Sequence, residues 1–263
     1  MNGRTLLAPA KLTLSIGVTG VRADGYHELD AEMVTLSLAD ELLLEDGGDG
    51  LRVDAADDVG RGVQALGDSG QNLVVRALRA VQRRAAVRLT KHIPVGAGLG
   101  GGSADAAAVL RWAGCRDLGL AARLGSDVPF CLVGGRARVG GAGEVVTPLP
   151  HRDAEYVLLL PPFGVSTAAV YRAWDDALSP SGGGPNELAP SALAVEPRLA
   201  RWRDALGDLT GAEPVLAGSG STWFVEVGGV GDITTELPSE LVVDGERGRM
   251  VRARAVPAGW KGD

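Results

Sequence analysis

Residues 94–108 read PVGAGLGGGSADAAA, with five glycines in the seven positions 96–102 followed at once by an alanine-rich stretch. Glycine reaches backbone conformations closed to other residues and lets main-chain N–H groups approach a ligand with no Cβ in the way. The alanines predict a helix over 103–112. A helix start adds unpaired N–H groups and the positive end of its macrodipole. A loop of this kind feeding a helix is a socket for phosphate oxygens, and the phosphate chain of a nucleotide is its first expected occupant.

Three other glycine motifs compete for this stretch. A P-loop requires a lysine after its last glycine, and none follows here. The spacing Gly96-x-Gly98-x-x-Gly101 satisfies the dinucleotide fingerprint on paper. That fingerprint belongs early in a βαβ unit after a clean strand, whereas Pro94 interrupts the approach and no regular α/β alternation follows. A protein-kinase loop would need HRD-type and DFG segments, which the chain lacks. The plain alternative is a glycine turn that packs a helix closely on a sheet.

The 263 residues, 45% of them hydrophobic, suffice for one large domain or two modest ones. A formal net charge of -7 argues against non-specific nucleic-acid binding, which favours a basic surface. Cys115 and Cys131 form neither a disulfide framework nor a metal spacing. The N-terminal apolar run is too short for a signal peptide, and no apolar stretch reaches bilayer-spanning length. A soluble, cytoplasmic protein with no nucleic-acid or membrane partner is the expectation.

Along the chain, strands are expected over 4–18, 31–39 and 41–45, with a turn near Ala39-Asp40, and over 51–53. Asn72 is placed to cap a helix over 73–84. A strand begins at 87–89, a short helix covers 118–124, and 133–148 reads as a hairpin around 140–143. The pattern restarts near residue 150. A strand at 156–160 precedes a helix from Ser166 or Thr167 through Leu178, a loop over 179–190 and a helix at 197–206. Strands at 215–217 and 223–227 flank a second glycine turn. This mixture without strict βαβ order predicts an α+β fold, divided into 1–150 and 151–263.

The glycine loop resembles the second motif of the GHMP kinases, the superfamily of galactokinase, homoserine kinase, mevalonate kinase and phosphomevalonate kinase. The run GLGGGS at 98–103, APAKLTL at 8–14, RADGYH at 22–27, GSDVPF at 125–130 and LAGSGST at 216–222 are together similar to one branch of it. That branch phosphorylates, with ATP, the tertiary 2-hydroxyl of a methylerythritol carried on cytidine diphosphate, in non-mevalonate isoprenoid biosynthesis. The resemblance runs in order from about residue 7 to 225. It implies a two-lobed fold, a ribosomal protein S5 domain 2-like N-terminal lobe and a ferredoxin-like C-terminal lobe, with the active site between them. It also implies ATP and Mg²⁺.

The resemblance makes Lys11 and Asp127 the catalytic pair. Lys11 would set a point charge beside the transferring phosphoryl, and Asp127 would orient or accept the hydroxyl proton. Pro94, Val95, Gly96, Ala97, Gly98, Leu99, Gly100, Gly101, Gly102, Ser103 and Ala104 would cradle the triphosphate, with Ser103 a candidate Mg²⁺ ligand. Asn72 stands where the family places a residue near the ATP base, although helix capping accounts for it equally. Tyr26 can stack on cytosine and His27 can read its polar edge. Tyr171 is a candidate for the second face of the base, with core packing as its rival. Gly218, Ser219 and Gly220 either approach substrate or form a tight turn between strands. Thr13 stands where the pattern has Asn, keeping a hydroxyl and losing the amide. The segments 112–124 and 84–91 are shorter than in the family, yet neither shortening removes a motif. Another small-molecule GHMP kinase, or a nucleotide-binding regulator without activity, are the competing readings.

Overall fold

The computed structural model describes residues 3–56, 70–177, 184–227 and 237–262. Two long strands dominate its first half. β1 (Arg4–Val21) runs antiparallel to β2 (His27–Asp46), and apolar residues of the pair are buried in two core clusters, Ile16, Met33 and Leu42 in one and Leu12 in the other. The outer half of β2 pairs with β4 (Ala85–Lys91), which carries β3 (Leu51–Ala55) in parallel on its far side. The other half of β2 pairs with β5 (Arg136–Gly141), followed by β6 (Val145–Leu149).

No turn separates 31–39 from 41–45. β2 passes through Ala39 and Asp40 as one strand, and the irregularity is a register shift between Pro9 and Lys11. Pro9 faces Ala39 while Lys11 faces Thr35, so β2 carries two more residues than β1 across that interval. The ladder opens there, and the Lys11 N–H donates instead to the Leu99 carbonyl at 3.0 Å. Asp40, a turn residue by type, is fully buried because ionic and main-chain partners surround it.

Helices cover the sheet. Asn72 caps α1 (Leu73–Ala80), accepting from the Val74 N–H at 2.9 Å. The helix ends earlier than the expected residue 84, where Gln82 adopts a positive φ of 53°. α2 (Gly101–Trp112) starts two residues before the expected 103, inside the glycine run itself. Its residues from Ala104 to Leu110 are all buried, and their small side chains let the helix sit close against β1 and α1. α3 (Leu118–Leu124), capped by Asp117, matches its expected range. α4 (Val128–Val133) was not anticipated; Pro129 in its first turn fixes a helical φ.

The second half forms an antiparallel sheet in the order β10 (Glu240–Val243), β11 (Glu246–Arg254), β7 (Glu155–Leu160), β9 (Trp223–Val227) and β8 (Val215–Leu216). α5 (Thr167–Asp176), capped by Ser166, α6 (Ala189–Val195) and α7 (Leu199–Thr210) complete it. Leu178 and residues 179–183 of the loop expected at 179–190 lie outside the described residues, and α6 occupies the end of that loop. The two halves are joined by a short parallel bridge between Ile16 and Asn186 and by a bridge between Leu36 and Ala255. Among the described residues no helix is long and apolar enough to cross a membrane.

Candidate active site

A cleft of about 450 Å³ lies where the glycine loop, β1, the start of α4 and the second-half residues Thr167, Tyr171, Gly218 and Ser219 converge. All eight residues from Pro94 to Gly101, together with Gly102, Ser103 and Asn72, line it. Ala104 does not; it is buried behind the loop.

The loop's shape follows from its glycines. Gly96, Gly98 and Gly100 have φ of 74°, 82° and 67°, a region costly for any residue with a Cβ. Gly100 is the N-cap of α2 and provides no side-chain cap, which leaves the leading N–H groups of the helix without a side-chain partner. A Cβ on Gly100 would stand 2.8 Å from Lys11 Cγ, and one on Gly101 3.1 Å from Lys91 Nζ. The loop therefore closes over two lysines as tightly as glycine allows.

The Lys11 ammonium is nearly buried and lies 3.5 Å from the Asp127 carboxylate, whose side chain is 31% exposed toward the cleft. It also donates to Thr13 Oγ1 at 3.1 Å. Thr13 thus braces Lys11 with the hydroxyl it retains. Asp127 occupies the N-cap position of α4 but makes no capping hydrogen bond through its side chain. That carboxylate faces Lys11 instead.

The second glycine turn divides its work. Gly218 and Ser219 line the cleft, and a Cβ on Gly218 would lie 3.5 Å from both Lys11 Nζ and Thr13 Oγ1. Gly220 packs instead against the backbone of Gly98, and the Thr222 N–H donates to the Ala97 carbonyl at 3.2 Å. Asn186 holds this turn from behind, its amide donating to the Leu216 and Gly218 carbonyls at 2.8 and 2.7 Å. Asn186 sits in a Gly- and Pro-rich loop, and nothing local in the sequence marks it.

His27, at the start of β2, joins the second half. Its ring stacks tilted on Tyr171 with centroids 4.6 Å apart, meets Trp174 edge-on at 5.4 Å, and its Nε2 lies 2.7 Å from Asp175 Oδ1. Tyr171 lines the cleft, and burial together with the charge of nearby Asp127 raises its phenol pKa. Tyr26 stands 61% exposed on the turn formed around Gly25, outside the cleft lining. Trp174 and Asp175 went unnoticed in the sequence because a Trp-Asp pair on an amphipathic helix carries no distinguishing pattern.

A third charged group lies beneath the loop. Lys91, at the end of β4, bridges Asp40 on β2 and Asp105 on α2, and all three are buried. Burial opposes the Lys91 charge, but the two carboxylates outweigh it and raise its pKa.

Residues 72–135 match the family model described as GHMP kinases N terminal domain. The *Methanococcus jannaschii* mevalonate kinase structure superposes with a TM-score of 0.58 over 97% of this chain and 99% of that one, at 12% identity, and so shares the fold. With a two-sheet fold and a glycine loop of this kind, the chain is a GHMP kinase, an ATP-dependent enzyme of the kinase class.

A protein of *Pelotomaculum thermopropionicum* named 4-diphosphocytidyl-2-C-methyl-D-erythritol kinase is 40% identical over 261 residues, 84% of this chain and 88% of that one. One of the same name from *Rhodopseudomonas palustris* is 36% identical over 260 residues, 82% and 86% of the two chains. A crystal structure of 4-(cytidine 5'-diphospho)-2C-methyl-D-erythritol kinase superposes with a TM-score of 0.65 at 33% identity, covering 86% of this chain and 91% of that one. The chain belongs to the 4-diphosphocytidyl-2-C-methyl-D-erythritol kinase family.

Proposed function

We propose that this chain transfers the γ-phosphoryl group of ATP to the 2-hydroxyl of 4-diphosphocytidyl-2-C-methyl-D-erythritol, with Lys11 and Asp127 as the catalytic pair. The observation that carries the assignment is their 3.5 Å pairing within the cleft that the glycine loop lines. The hydroxyl oxygen forms a bond to Pγ while the bond from Pγ to the β–γ bridging oxygen breaks, so ADP departs. The hydroxyl proton passes to the Asp127 carboxylate. Phosphoryl transfer asks a protein chiefly for in-line placement and charge stabilisation. Lys11 supplies the charge, and Thr13 and Asp127 hold its ammonium in place. A tertiary alcohol is crowded, so orientation by Asp127 carries much of the task.

Residues 94–103 would hold the triphosphate through main-chain N–H groups, with the leading turn of α2 behind them. Among the described residues no three His, Cys, Asp or Glu come together. Mg²⁺ keeps several waters and commonly binds through one or two protein oxygens plus substrate phosphates. Ser103, which lines the cleft, would be a candidate ligand for it through its hydroxyl. When bound, Mg²⁺ neutralises charge on the phosphate oxygens. His27, Tyr171 and the exposed Tyr26 would receive the cytosine, and Gly218 and Ser219 would approach the diphosphate or the polyol. We assign residues 1–150 and 151–263 to the two lobes on the ground that each contributes its own sheet.

ATP consumption measured with the cytidine-diphosphate-linked acceptor and with a base-free polyol tests this. Consumption that depends on the linked acceptor is expected. Equal rates with the two would assign the enzyme to another branch of the superfamily, and no consumption with either would make it a non-catalytic nucleotide binder.

A further inference from the structure

One face of α5 holds the His27 ring. Tyr171, Trp174 and Asp175 are spaced i, i+3 and i+4 on that helix and so share a face. All three reach His27, which opens β2 in the first half of the chain. Asp175 stands in the last turn of α5, beside Asp176 and with no basic residue in that turn. The helix macrodipole disfavours a negative charge there. Contact with His27 offsets that cost, and among the described residues Asp175 has no other side-chain hydrogen bond or ion pair.

The contact also decides where the imidazole carries its hydrogen. Asp175 Oδ1 lies 2.7 Å from His27 Nε2. A carboxylate accepts hydrogen bonds and donates none, so Nε2 is the donor. In a neutral imidazole the other nitrogen is then a bare acceptor. The His27 side chain is only 11% exposed. Nδ1 belongs to that exposed remnant, for it is not buried and has no hydrogen-bond partner among the described residues. Tyr171, on which the ring rests, lines the cleft.

We propose that Asp175 is a positioning residue that sets base specificity: by fixing the hydrogen on Nε2 it makes His27 Nδ1 an acceptor for the 4-amino group of cytosine. The inference rests on the proposed function, in which the alcohol substrate carries cytidine diphosphate. Cytosine joined to ribose through N1 has one donating group, the 4-amino group, so an acceptor on the protein can meet no other part of its polar edge. Uracil carries a carbonyl oxygen at that position. Two acceptors set against each other leave both unpaired, and that costs more than a missing contact. An imidazolium, or the opposite tautomer, would put hydrogen on Nδ1 and abolish the preference.

The test measures kcat/KM for the cytidine-diphosphate-linked acceptor and its uridine counterpart with wild type, D175N and D175E. The assays run at about pH 8, above the ordinary imidazole pKa. Nitrogen NMR spectra of protein carrying labelled histidine are recorded at the same pH, with H27Q identifying the His27 signals. The wild type is expected to prefer the cytidine acceptor by about 10²-fold or more, with hydrogen on Nε2 and none on Nδ1. In D175N the amide can donate to Nε2 instead. The preference is expected to fall by about tenfold or more, through KM for the cytidine acceptor, with KM for ATP within about threefold. D175E keeps a carboxylate and is expected to restore part of it. A preference that D175N leaves intact, equal losses with both acceptors, or hydrogen on Nδ1 in the wild type overturns the proposal. The wild-type spectrum stays decisive if D175N does not fold. Activity with neither acceptor would sink the proposed function and this recognition with it, a result distinct from an active enzyme whose preference ignores Asp175.

Discussion

Gly98 and Gly220 meet backbone to backbone, so that a Cβ on Gly98 would lie 2.8 Å from Gly220 Cα and 2.2 Å from the Ala217 carbonyl oxygen. The two glycine loops, far apart in sequence, are thereby locked together at the cleft. Gly98→Ala must move backbone and also occupy a φ of 82°. We expect it to destabilise the protein by on the order of 3 kcal/mol or more. Gly102→Ala meets only Leu73 Cδ1 at 3.5 Å and has no such φ, so its stability should change by less than about 1 kcal/mol. Denaturant midpoints of the two variants check this, and equal losses would contradict the packing argument.

The cluster proposed to receive the base can be separated from the glycine loop kinetically. His27→Ala and Tyr171→Ala each remove a ring from the stacked pair. Each should raise KM for the cytidine-linked acceptor by about tenfold or more while leaving KM for ATP within about threefold. Steady-state kinetics with each substrate varied in turn decide it. A matching rise in KM for ATP would show that the cluster serves the other nucleotide.

The ionic cluster makes a stability prediction of its own. Lys91→Met leaves Asp40 buried without its cation and should cost about 3–5 kcal/mol. Burial pushes the Asp105 carboxyl up to about 8, so its contribution has the opposite sign to that of a salt-bridged one. Between about pH 4 and about pH 8 the unfolded chain has released that proton and the folded chain has not. Stability from this group is therefore greatest at low pH and declines as pH rises through that window, by up to about 1.4 kcal/mol per unit. D105N lacks the decline. Unfolding curves for both proteins across that window show it, and identical slopes would contradict it.

What the sequence made legible was the part carried by rare residues in fixed order. The glycine run announces itself, Lys11, Asp127 and the Tyr26-His27 turn are singled out by the motifs they share with the family, and local patterns place α1, α3, α5, β7 and β9 close to their observed ranges. Asp40 misled because a buried charge looks like a turn residue until its partners, 51 to 53 positions away, are brought to it. α4 and α6 each begin around a proline that reads as a break when its neighbours in space are unknown. β11 is an inner strand of the second sheet, yet its arginines hide the buried Gly248, Met250 and Ala253 between them. Asn186 and Asp175 act only through partners that the fold supplies.

The most direct test of the account is the single-turnover rate and ATP affinity of Lys11→Met, with Asp127→Asn alongside. Groups that act mainly in the transition state lower the rate far more than binding. We predict a loss of more than about 10²-fold in rate for each variant, with ATP affinity within about fivefold of wild type. Near-normal phosphoryl transfer by either one would remove that residue from the chemistry and contradict the central claim.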